Sequence, residues 1–249
     1  MSPLLSANAA EASKSAREFY ELRLYHLRRG PMTKRFDDFC RDAAIPAMNR
    51  AGIAPVGVFS VMFGPDSPTM YVLLPHKSIE SFGTALDRVR ADADYQKAGA
   101  EFINATPGDP SYIRVEISLL VAFASIPRVE VPAATAAKKP RVFELRTYES
   151  HSKKANKKKI EMFNTGEIAI FRRVGLTPVF FGETLIGTKI PSLTYMLAFE
   201  SMAERDKNWG QFGPDPEWKK LSSTPGYTDA EIVTNISNVF LRPTPYSQI

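Results

Sequence analysis

The chain has 249 residues, 44% of them hydrophobic and 24% charged, which is the composition of an ordinary soluble globular protein. Its formal net charge of +5 is mildly basic. Much of the excess lies in a basic cluster formed by Lys138, Lys139, Arg141, Lys153, Lys154 and Lys157–Lys159. A nucleic-acid partner is not expected, because this cluster has no interleaved aromatic residues and does not recur earlier in the chain. No apolar stretch approaches the roughly 18–20 residues that a membrane-spanning helix needs. The single cysteine, Cys40, cannot form an intrachain disulfide and leaves the redox compartment open.

The N-terminal residues 1–17 are rich in alanine and serine and have neither a basic start nor a long apolar core. They lack the pattern of a complete signal peptide, and we expect a disordered leader. We expect a cytoplasmic location. If Leu4–Ala9 is the end of a signal peptide, the protein is instead exported.

The chain contains two copies of one sequence pattern. Tyr20–Tyr25 recurs as Phe143–Tyr148, at an offset of 123 residues. The same offset carries Arg50 onto Arg173, Gly52 onto Gly175, Pro55 onto Pro178, Gly64 onto Gly187, Ser78 onto Ser201, Asp92 onto Asp215 and Tyr95 onto Trp218. Such a register predicts two domains of one kind, which we place at residues 18–124 and 141–249. Residues 125–140, rich in proline and alanine, are expected to form an extended linker.

The first repeat predicts a strand, a helix, two strands, a helix and a strand. Phe19–Tyr25 alternates polar and apolar residues as a strand does. A helix is expected from about Thr33 to Arg50, with Pro46 kinking or interrupting it and Gly52 as its left-handed cap. The remaining strands are expected at Pro55–Phe63, Tyr71–Leu74 and near Ile113–Val121.

The second repeat carries clearer helix signals. Ser201, with Glu204 three residues later, forms a capping box that opens a helix, and Gly213–Pro214 ends it. Asp215 as N-cap and Pro216 in the first turn then begin another helix. Strands are expected at Thr194–Phe199 and near Ile232–Leu241.

This βαββαβ order is the ferredoxin-like, or split βαβ, plan, and the fold class is α+β. In each repeat an antiparallel sheet carries helices on one face, and its other face has to be covered. The second copy in the same chain provides that cover. We therefore predict that the two sheets pack together as a pseudo-dimeric α+β barrel.

Several segments of the second repeat resemble the NIPSNAP family: Phe143–Tyr148, Gly175–Val179, Tyr195–Ser201 with Glu204–Arg205, and Asp215–Trp218. The first repeat is similar through Glu21–Tyr25 and Gly52, and it departs at Pro75–Lys77 and Asp92–Tyr95. The resemblance implies tandem domains of the dimeric α+β barrel type. It implies no settled activity, since family members are mostly uncharacterised and animal relatives are associated with mitochondria and with vesicular or mitophagy-related interactions.

Each repeat has a glutamate, an arginine and a tyrosine at alternate positions of its first strand: Glu21, Arg23 and Tyr25, then Glu144, Arg146 and Tyr148. If Leu22 and Leu24 face the helices, these polar side chains line the space between the two sheets. The arginines are then the predicted ligand-binding residues, since a guanidinium binds carboxylates. The glutamates and tyrosines are candidate catalytic residues, as proton acceptors and donors.

The alternative is that these charges form an ion-paired network that fixes how the two sheets dock, and the sequence leaves it open. Neighbouring aromatic residues give a second indication of a cavity. In the pair Phe180–Phe181, one ring should face the helices and the other the space between the sheets. We assign Phe181 to the wall of that cavity, as a ligand-binding residue.

No metal site is indicated, and the cofactor, if there is one, stays unknown. The three histidines, His26, His76 and His151, do not occupy equivalent positions in the repeat, and none has a second ligand at zinc spacing. They are expected at the surface or at strand ends. A haem ligand among them stays an open alternative, because haem-binding barrels of this general architecture exist.

We favour a small-molecule-binding protein that uses the inter-sheet cavity. Three other functions are compatible with the sequence: a cofactor-independent enzyme of the monooxygenase or isomerase kind, a protein-interaction module that uses its outer surface and the basic cluster that includes Lys157–Lys159, and a haem-binding protein. The enzyme hypothesis rests on fold analogy. Assembly into a homo-oligomer is compatible with all four.

Overall fold

The computed structural model describes residues 16–63 and 68–249, so most of the expected N-terminal leader lies outside the described residues. The first repeat consists of β1 (Phe19–His26), α1 (Pro31–Phe39), α2 (Ile45–Arg50), β2 (Gly57–Phe63), β3 (Thr69–His76), α3 (Ile79–Ala91), α4 (Ala93–Ala98), α5 (Ala100–Ile103) and β4 (Arg114–Ala122). The predicted βαββαβ order is present. The strands and the main helices lie within a few residues of their expected bounds.

The second repeat follows the same order after a short linker helix. Its elements are α6 (Ala133–Ala136, in the linker), β5 (Val142–Glu149), α7 (Lys153–Met162), α8 (Ile168–Arg173), β6 (Thr177–Ile186), β7 (Ser192–Phe199), α9 (Met202–Phe212), α10 (Pro216–Ser222), α11 (Asp229–Ile232) and β8 (Asn235–Pro243). The last strand begins three residues later than expected, because residues 229–232 form the helical turn α11 instead.

The eight strands form one closed antiparallel barrel in the order β1-β3-β2-β8-β5-β7-β6-β4, with β4 returning to β1. The repeats join at two places, where β2 pairs with β8 and β4 pairs with β6. The barrel therefore closes within one chain. Closure removes the free sheet edges that would otherwise be available for pairing with a second molecule.

Strand pairing fixes where the repeat register changes. Leu22 pairs with Ser118 in the first repeat, and the equivalent Leu145 pairs with Val239 in the second. The last strands are therefore related by an offset of 121 residues rather than 123. Strands that are related by the repeat run in the same direction around the barrel, so both repeats contribute equivalent residues to the same end of it.

The long first helix of each repeat is interrupted by a π-helical turn. In the first repeat the turn is Cys40–Ala44, and in the second it is Phe163–Glu167, at equivalent positions. The sequence attributes the interruption in the first repeat to Pro46, but the equivalent position in the second repeat is Ala169. Because both repeats have the turn, proline is not its common cause.

The residues at the helix ends that are identical in the two repeats make equivalent contacts between neighbouring helices. Gly52 and Gly175 both have left-handed backbone, with φ of 82° and 84°. Arg50 donates two hydrogen bonds to Asp92, at 2.7 and 2.8 Å. Arg173 bonds both carboxylate oxygens of Asp215 in the second repeat, at 2.9 and 2.8 Å. Each aspartate also caps the helix that follows it.

The predicted N-cap at Ser201 is confirmed, and its repeat partner Ser78 has the same role. Each hydroxyl accepts a hydrogen bond from the backbone N–H three residues later, at 3.1 Å for Ser201 and 3.0 Å for Ser78. This interaction satisfies one of the N–H groups that a helix start leaves without a partner. Residues 123 positions apart therefore have the same capping role in the two repeats.

The core has one layer inside the barrel and two layers between the barrel and the helices. Tyr20 and Leu22 belong to the inner layer, together with Phe59, Phe143 and Phe180. The two outer layers lie under the helices of each repeat. The predicted orientation of the first strand is therefore wrong: Leu22 faces the barrel interior, and its polar neighbours face the helices.

The linker is not a free extended segment, because it packs on the barrel. Ile126 is fully buried, and the backbone N–H of Glu130 donates to the carbonyl of Val179 at 2.8 Å. Val129 and Ile249 pack against the inner layer at the end of the barrel where β1 and β5 begin. That end of the barrel is covered.

A test of the helix cap compares Gly175→Ala with Gly52→Ala. Each substitution should destabilise the protein by roughly 1–2 kcal/mol, because a side chain disfavours the left-handed backbone. Gly175→Ala should cost more, since the new Cβ would lie 3.1 Å from Asn208 Nδ2, whereas nothing lies within 4 Å of it at Gly52. Urea denaturation of both variants measures the difference, and equal losses would contradict the steric contribution of Asn208.

Candidate functional site

The glutamate, arginine and tyrosine of each first strand lie between the sheet and the helices, outside the barrel. Tyr25 packs on Phe36 of α1, and Tyr148 packs on Phe163 of the second π-helical turn. The physical reason is the size of the barrel. An eight-stranded barrel has an interior just wide enough to be filled by side chains, and large apolar residues such as Tyr20 and Phe143 fill it here.

In the first repeat, the carboxylate of Glu21 lies between two side-chain partners, Arg23 and His76. Arg23 Nε donates to Glu21 Oε1 at 2.6 Å, and His76 Nε2 lies 3.1 Å from Glu21 Oε2. Arg23 also reaches the hydroxyl of Tyr25 at 3.4 Å. Glu21 and His76 are almost completely buried. The cluster is a closed network whose members bind one another.

In the second repeat, Glu144 accepts five hydrogen bonds from four side chains. Arg146 donates one at 2.7 Å, and Arg205 of α9 donates two at 2.9 and 3.1 Å. Trp209 Nε1 adds one at 2.9 Å and Asn238 Nδ2 one at 3.2 Å. The Arg146 guanidinium also lies 4.7 Å from the centre of the Trp209 ring. A carboxylate satisfied in this way ties three elements together.

In both repeats the buried glutamate of the first strand has a second partner, but that partner comes from a different position in each. Arg205 of the second repeat corresponds to Phe82 of the first, and Phe199 of the second corresponds to His76 of the first. His76 thus replaces the arginine as the second partner of the glutamate, and its ring packs edge-on against Phe82, 5.5 Å away. His76 is buried rather than at the surface, although it does lie at the end of its strand, β3.

The two carboxylates are poor candidates for a general base. Burial alone would raise the pKa of Glu144, but the hydrogen bonds from Arg205 and the charge of Arg146 outweigh it and hold this pKa below its usual range. Burial likewise opposes the hydrogen bond of His76 and the charge of Arg23 at Glu21, and the pKa of Glu21 is also lowered. An ionised, fully bonded carboxylate has little tendency to take a proton.

Nor is there room for a ligand beside Arg23. The gap lined by Arg23, Tyr25 and Cys40 has a volume of about 10 Å³, the space of one water at most. Phe181 is not a cavity wall either. It faces the helices and stacks on Tyr195, with ring centres 4.6 Å apart, while Phe180 faces the barrel interior.

A second buried ion pair distinguishes the two repeats. Lys159 Nζ lies 3.2 Å from Glu167 Oε2, and both side chains are at most 2% exposed. Burial raises the pKa of Glu167 to about 7, against the lowering effect of Lys159. The equivalent residues of the first repeat are Phe36 and Ala44, both apolar. The same place in the fold therefore tolerates either an ion pair or apolar packing.

The open end of the barrel can admit a small molecule, and we call this space the mouth cavity. Its volume is about 270 Å³, and it lies between the two repeats at the end opposite to Val129 and Ile249. Leu22 and Leu145 form part of its floor. The lining residues are Leu22, Leu24, Tyr71, Glu116, Ile117, Ser118, Leu120, Leu145, Thr147, Thr184, Thr188, Lys189, Ser192, Thr194, Ser237 and Val239.

One wall of the mouth cavity is rich in hydroxyl groups that are already ordered in pairs. The hydroxyls of Thr147 and Thr194 are 2.9 Å apart, and Ser192 donates to Thr184 at 3.0 Å. Most of these positions come from the second repeat. The first repeat contributes Leu22, Leu24, Tyr71 and Leu120, together with Glu116 and Ser118, which lie opposite Leu24 and Leu22 in the sheet. Most hydroxyl groups of the cavity therefore lie on the second repeat and most of its apolar side chains on the first.

Charged groups lie at the rim of the mouth cavity. Lys189 Nζ donates to Ser237 Oγ at 3.3 Å and lies 3.9 Å from Glu149 Oε1. Across the cavity, Glu116 is bound by Arg114 Nε at 3.0 Å and lies 2.9 Å from His26 Nε2. His26 is buried rather than at the surface, although it does lie at the end of its strand.

The sequence alone did not identify the mouth-cavity residues. Thr147 stands where the first repeat has Leu24, and this difference between the repeats is the sequence signal that could have indicated the cavity.

A larger groove of about 810 Å³ lies outside the barrel, along the linker and the end of β8. It does not lie between the two repeats' inner faces, where the predicted cavity was expected.

The lysine cluster is not one surface. Lys157 is exposed, Lys158 pairs with Glu161 at 3.0 Å, and Lys159 is buried in its ion pair. Within residues 16–63 and 68–249, no helix is long and apolar enough to cross a membrane. Over the same residues, no group of three potential metal ligands comes together.

A test of the second polar cluster is Glu144→Gln. At pH 7 the substitution should destabilise the protein by roughly 3 kcal/mol, because Arg146 and Arg205 lose a buried counter-charge. Because the folded-state pKa of Glu144 lies below its ordinary value of 4.5, its contribution is present above that pH and is lost as the pH falls further.

The free energies of unfolding of the parent protein and Glu144→Gln should therefore converge as the pH falls below 4.5, as measured by denaturation at several pH values. The control is Glu217→Gln, which removes an exposed partner of Arg173 and should change little. A difference between Glu144→Gln and the parent that stays constant with pH would contradict the ion-pair account.

The Lys159–Glu167 pair can be tested with the residues that the first repeat uses. Glu167→Ala alone should cost roughly 3–5 kcal/mol, since it leaves the Lys159 ammonium buried without its main partner. The double substitution Lys159→Phe with Glu167→Ala should cost less than the sum of the two single changes. Denaturation of the four proteins in this cycle measures the coupling, and additive losses would show that the pair is not coupled.

The sequence pattern of the NIPSNAP family matches residues 20–106 and 143–248 of the chain, one segment in each repeat. A NIPSNAP-like domain protein from Burkholderia xenovorans, described as uncharacterised, is 20% identical; the match covers 43% of this chain and 88% of that one, with a TM-score of 0.39. Comparison with curated proteins found no match.

Two solved structures match the whole barrel. They are proposed monooxygenases from Lactobacillus acidophilus NCFM and Fusobacterium nucleatum, with TM-scores of 0.60 and 0.58 and 8% identity to this chain. The first match covers 91% of this chain and 94% of the other, and the second covers 92% and 93%. At this identity the likeness concerns the fold alone. Since the family pattern spans both repeats and most of the chain, the protein belongs to the NIPSNAP family, with two tandem NIPSNAP domains that close into one α+β barrel.

Proposed function

We propose that this protein binds a small molecule in the mouth cavity. The observation that carries the proposal is the asymmetry of the barrel ends: one is covered by Val129 and Ile249, and the other holds a cavity of about 270 Å³. This volume is just below the usual range for ligand pockets, about 300–1,000 Å³, so a small ligand is expected. The combination of an apolar floor with a few ordered polar groups is also typical of such pockets.

A cofactor-independent monooxygenase- or isomerase-like activity has less support. The hypothesis needs Glu21 or Glu144 as a proton acceptor, with Tyr25 or Tyr148 as a donor, facing the ligand. All four lie outside the barrel, and the two carboxylates are held ionised by their partners. Of the mouth-cavity residues, only Lys189 and Glu116 carry charge, and Glu116 is bound by Arg114.

The other two hypotheses also have less support. Of the lysines proposed for partner binding, Lys159 is buried, so the cluster is not a continuous basic surface. None of the three histidines lines the mouth cavity, which argues against a haem ligand there. His26 and His76 instead lie beside the carboxylates Glu116 and Glu21.

The test is native mass spectrometry of gently purified protein and of Ser237→Phe, which places a ring in the mouth. The parent should carry additional mass of a small molecule, and Ser237→Phe should lose it, because the cavity is then filled. Ser223→Phe, at an exposed helix end, is the matched control and should keep the adduct. A parent protein with the bare polypeptide mass, or an adduct that Ser237→Phe retains, would contradict the proposal.

A further inference from the structure

We infer that the ligand of the mouth cavity is a short aliphatic carboxylic acid or keto acid, bound with its oxygens on the second repeat and its carbon chain on the first. The inference rests on the proposed function and adds the chemical class of the ligand. It depends on three features of the cavity: the divergence of its two walls, the number of hydrogen-bond donors on one of them, and the position of Lys189.

The two walls derive from equivalent positions and have diverged. Leu24 of the first repeat corresponds to Thr147 of the second, and Tyr71 corresponds to Thr194. All four line the same cavity, because equivalent strands point to the same end of the barrel. A barrel made of two identical chains would have two identical walls. Fusion of the repeats in one chain permits a cavity that binds a ligand with two different sides.

The hydroxyl wall offers more donors than the protein itself uses. One hydroxyl proton serves the Thr147–Thr194 contact and one serves Ser192 to Thr184, so each pair leaves one O–H free. Ser237 accepts from Lys189 and keeps its own proton available. These free O–H groups can donate to a ligand that has acceptor oxygens, such as a carbonyl or a carboxylate. Hydroxyl oxygens also accept hydrogen bonds, so the choice of ligand charge depends on Lys189.

Lys189 decides between a neutral and an anionic ligand. Its ammonium is a donor only, and its hydrogen bond to the hydroxyl of Ser237 is long, at 3.3 Å. Glu149, at 3.9 Å, is its carboxylate neighbour, and both side chains are partly exposed, so the attraction between them is weak. Glu116 on the far side is already bound by Arg114. A carboxylate at the hydroxyl wall would therefore meet a cation that is not strongly paired.

The opposite wall favours an aliphatic rather than a flat aromatic body. Leu22, Leu24 and Leu120 line it, and Tyr71 is its one aromatic ring. Its polar members are Ser118 and Glu116, the latter already bound by Arg114. Branched aliphatic side chains pack well around a flexible carbon chain, whereas a flat ring system is usually met by other rings. Burying each methylene of such a chain contributes about 0.8 kcal/mol.

The test is isothermal titration of the full chain with octanoate, 1-octanol and octylamine, which share one carbon chain and differ in the head group. Octanoate should bind at least tenfold more tightly than octanol, as expected for one charge-assisted hydrogen bond, and octylamine should bind most weakly. Lys189→Met should weaken octanoate binding roughly tenfold and leave octanol unchanged. Lys153→Met, an exposed lysine at the start of α7, is the matched control.

A second variant makes the two walls alike at one position. Thr147→Leu introduces the first repeat's residue and should weaken octanoate at least as much as octanol, because it removes a donor from the hydroxyl wall. Equal affinities for octanoate and octylamine, or an unchanged octanoate affinity in Lys189→Met, would overturn the inference. An adduct of another class in the native mass spectrum would also overturn it while leaving the proposed function intact, whereas a bare parent protein would remove the proposed function itself.

Discussion

The width of the closed barrel is the constraint on which the rest of this structure depends. Eight antiparallel strands leave room inside for side chains only, and Tyr20, Phe59, Phe143 and Phe180 take most of that room. Charged side chains of the first strands therefore point outward, under the helices. They would otherwise have to be paired within a narrow apolar interior. Only near one end does the filling stop, and there the mouth cavity lies.

Much of the fold follows from the repeat, and the reason is physical. The offset of 123 residues preserves caps, left-handed glycines and the Arg50–Asp92 type of ion pair, each of which has a local geometric requirement. Which face of a strand points inward has no such requirement in an alternating strand that is buried on both sides. Leu22 and Glu21 are both almost fully buried, so polarity alone could not decide their directions.

The site residues were harder to predict because the repeat itself draws attention to what the two copies share. The shared residues, such as Glu21 and Glu144, bind within the protein and stabilise the contact between sheet and helices. The mouth cavity depends instead on positions where the copies differ, such as Leu24 and Thr147. Polar residues that both repeats share can be found in the sequence. The positions that line the mouth cavity differ between the repeats, and they are found only by comparing inward-facing positions once the fold is known.

Duplication within one chain explains why some positions are shared by the two repeats while others differ. In a symmetric dimer, a change that suits one wall is imposed on the other, so a ligand with one polar side gains at one wall and loses at the other. A fused pair removes this coupling, and the two copies can then change separately. The buried Lys159–Glu167 pair, apolar in the first repeat, and the exchange of Arg205 for His76 are outcomes of the same freedom under the helices. The mouth cavity is where that freedom affects the surface that a ligand contacts.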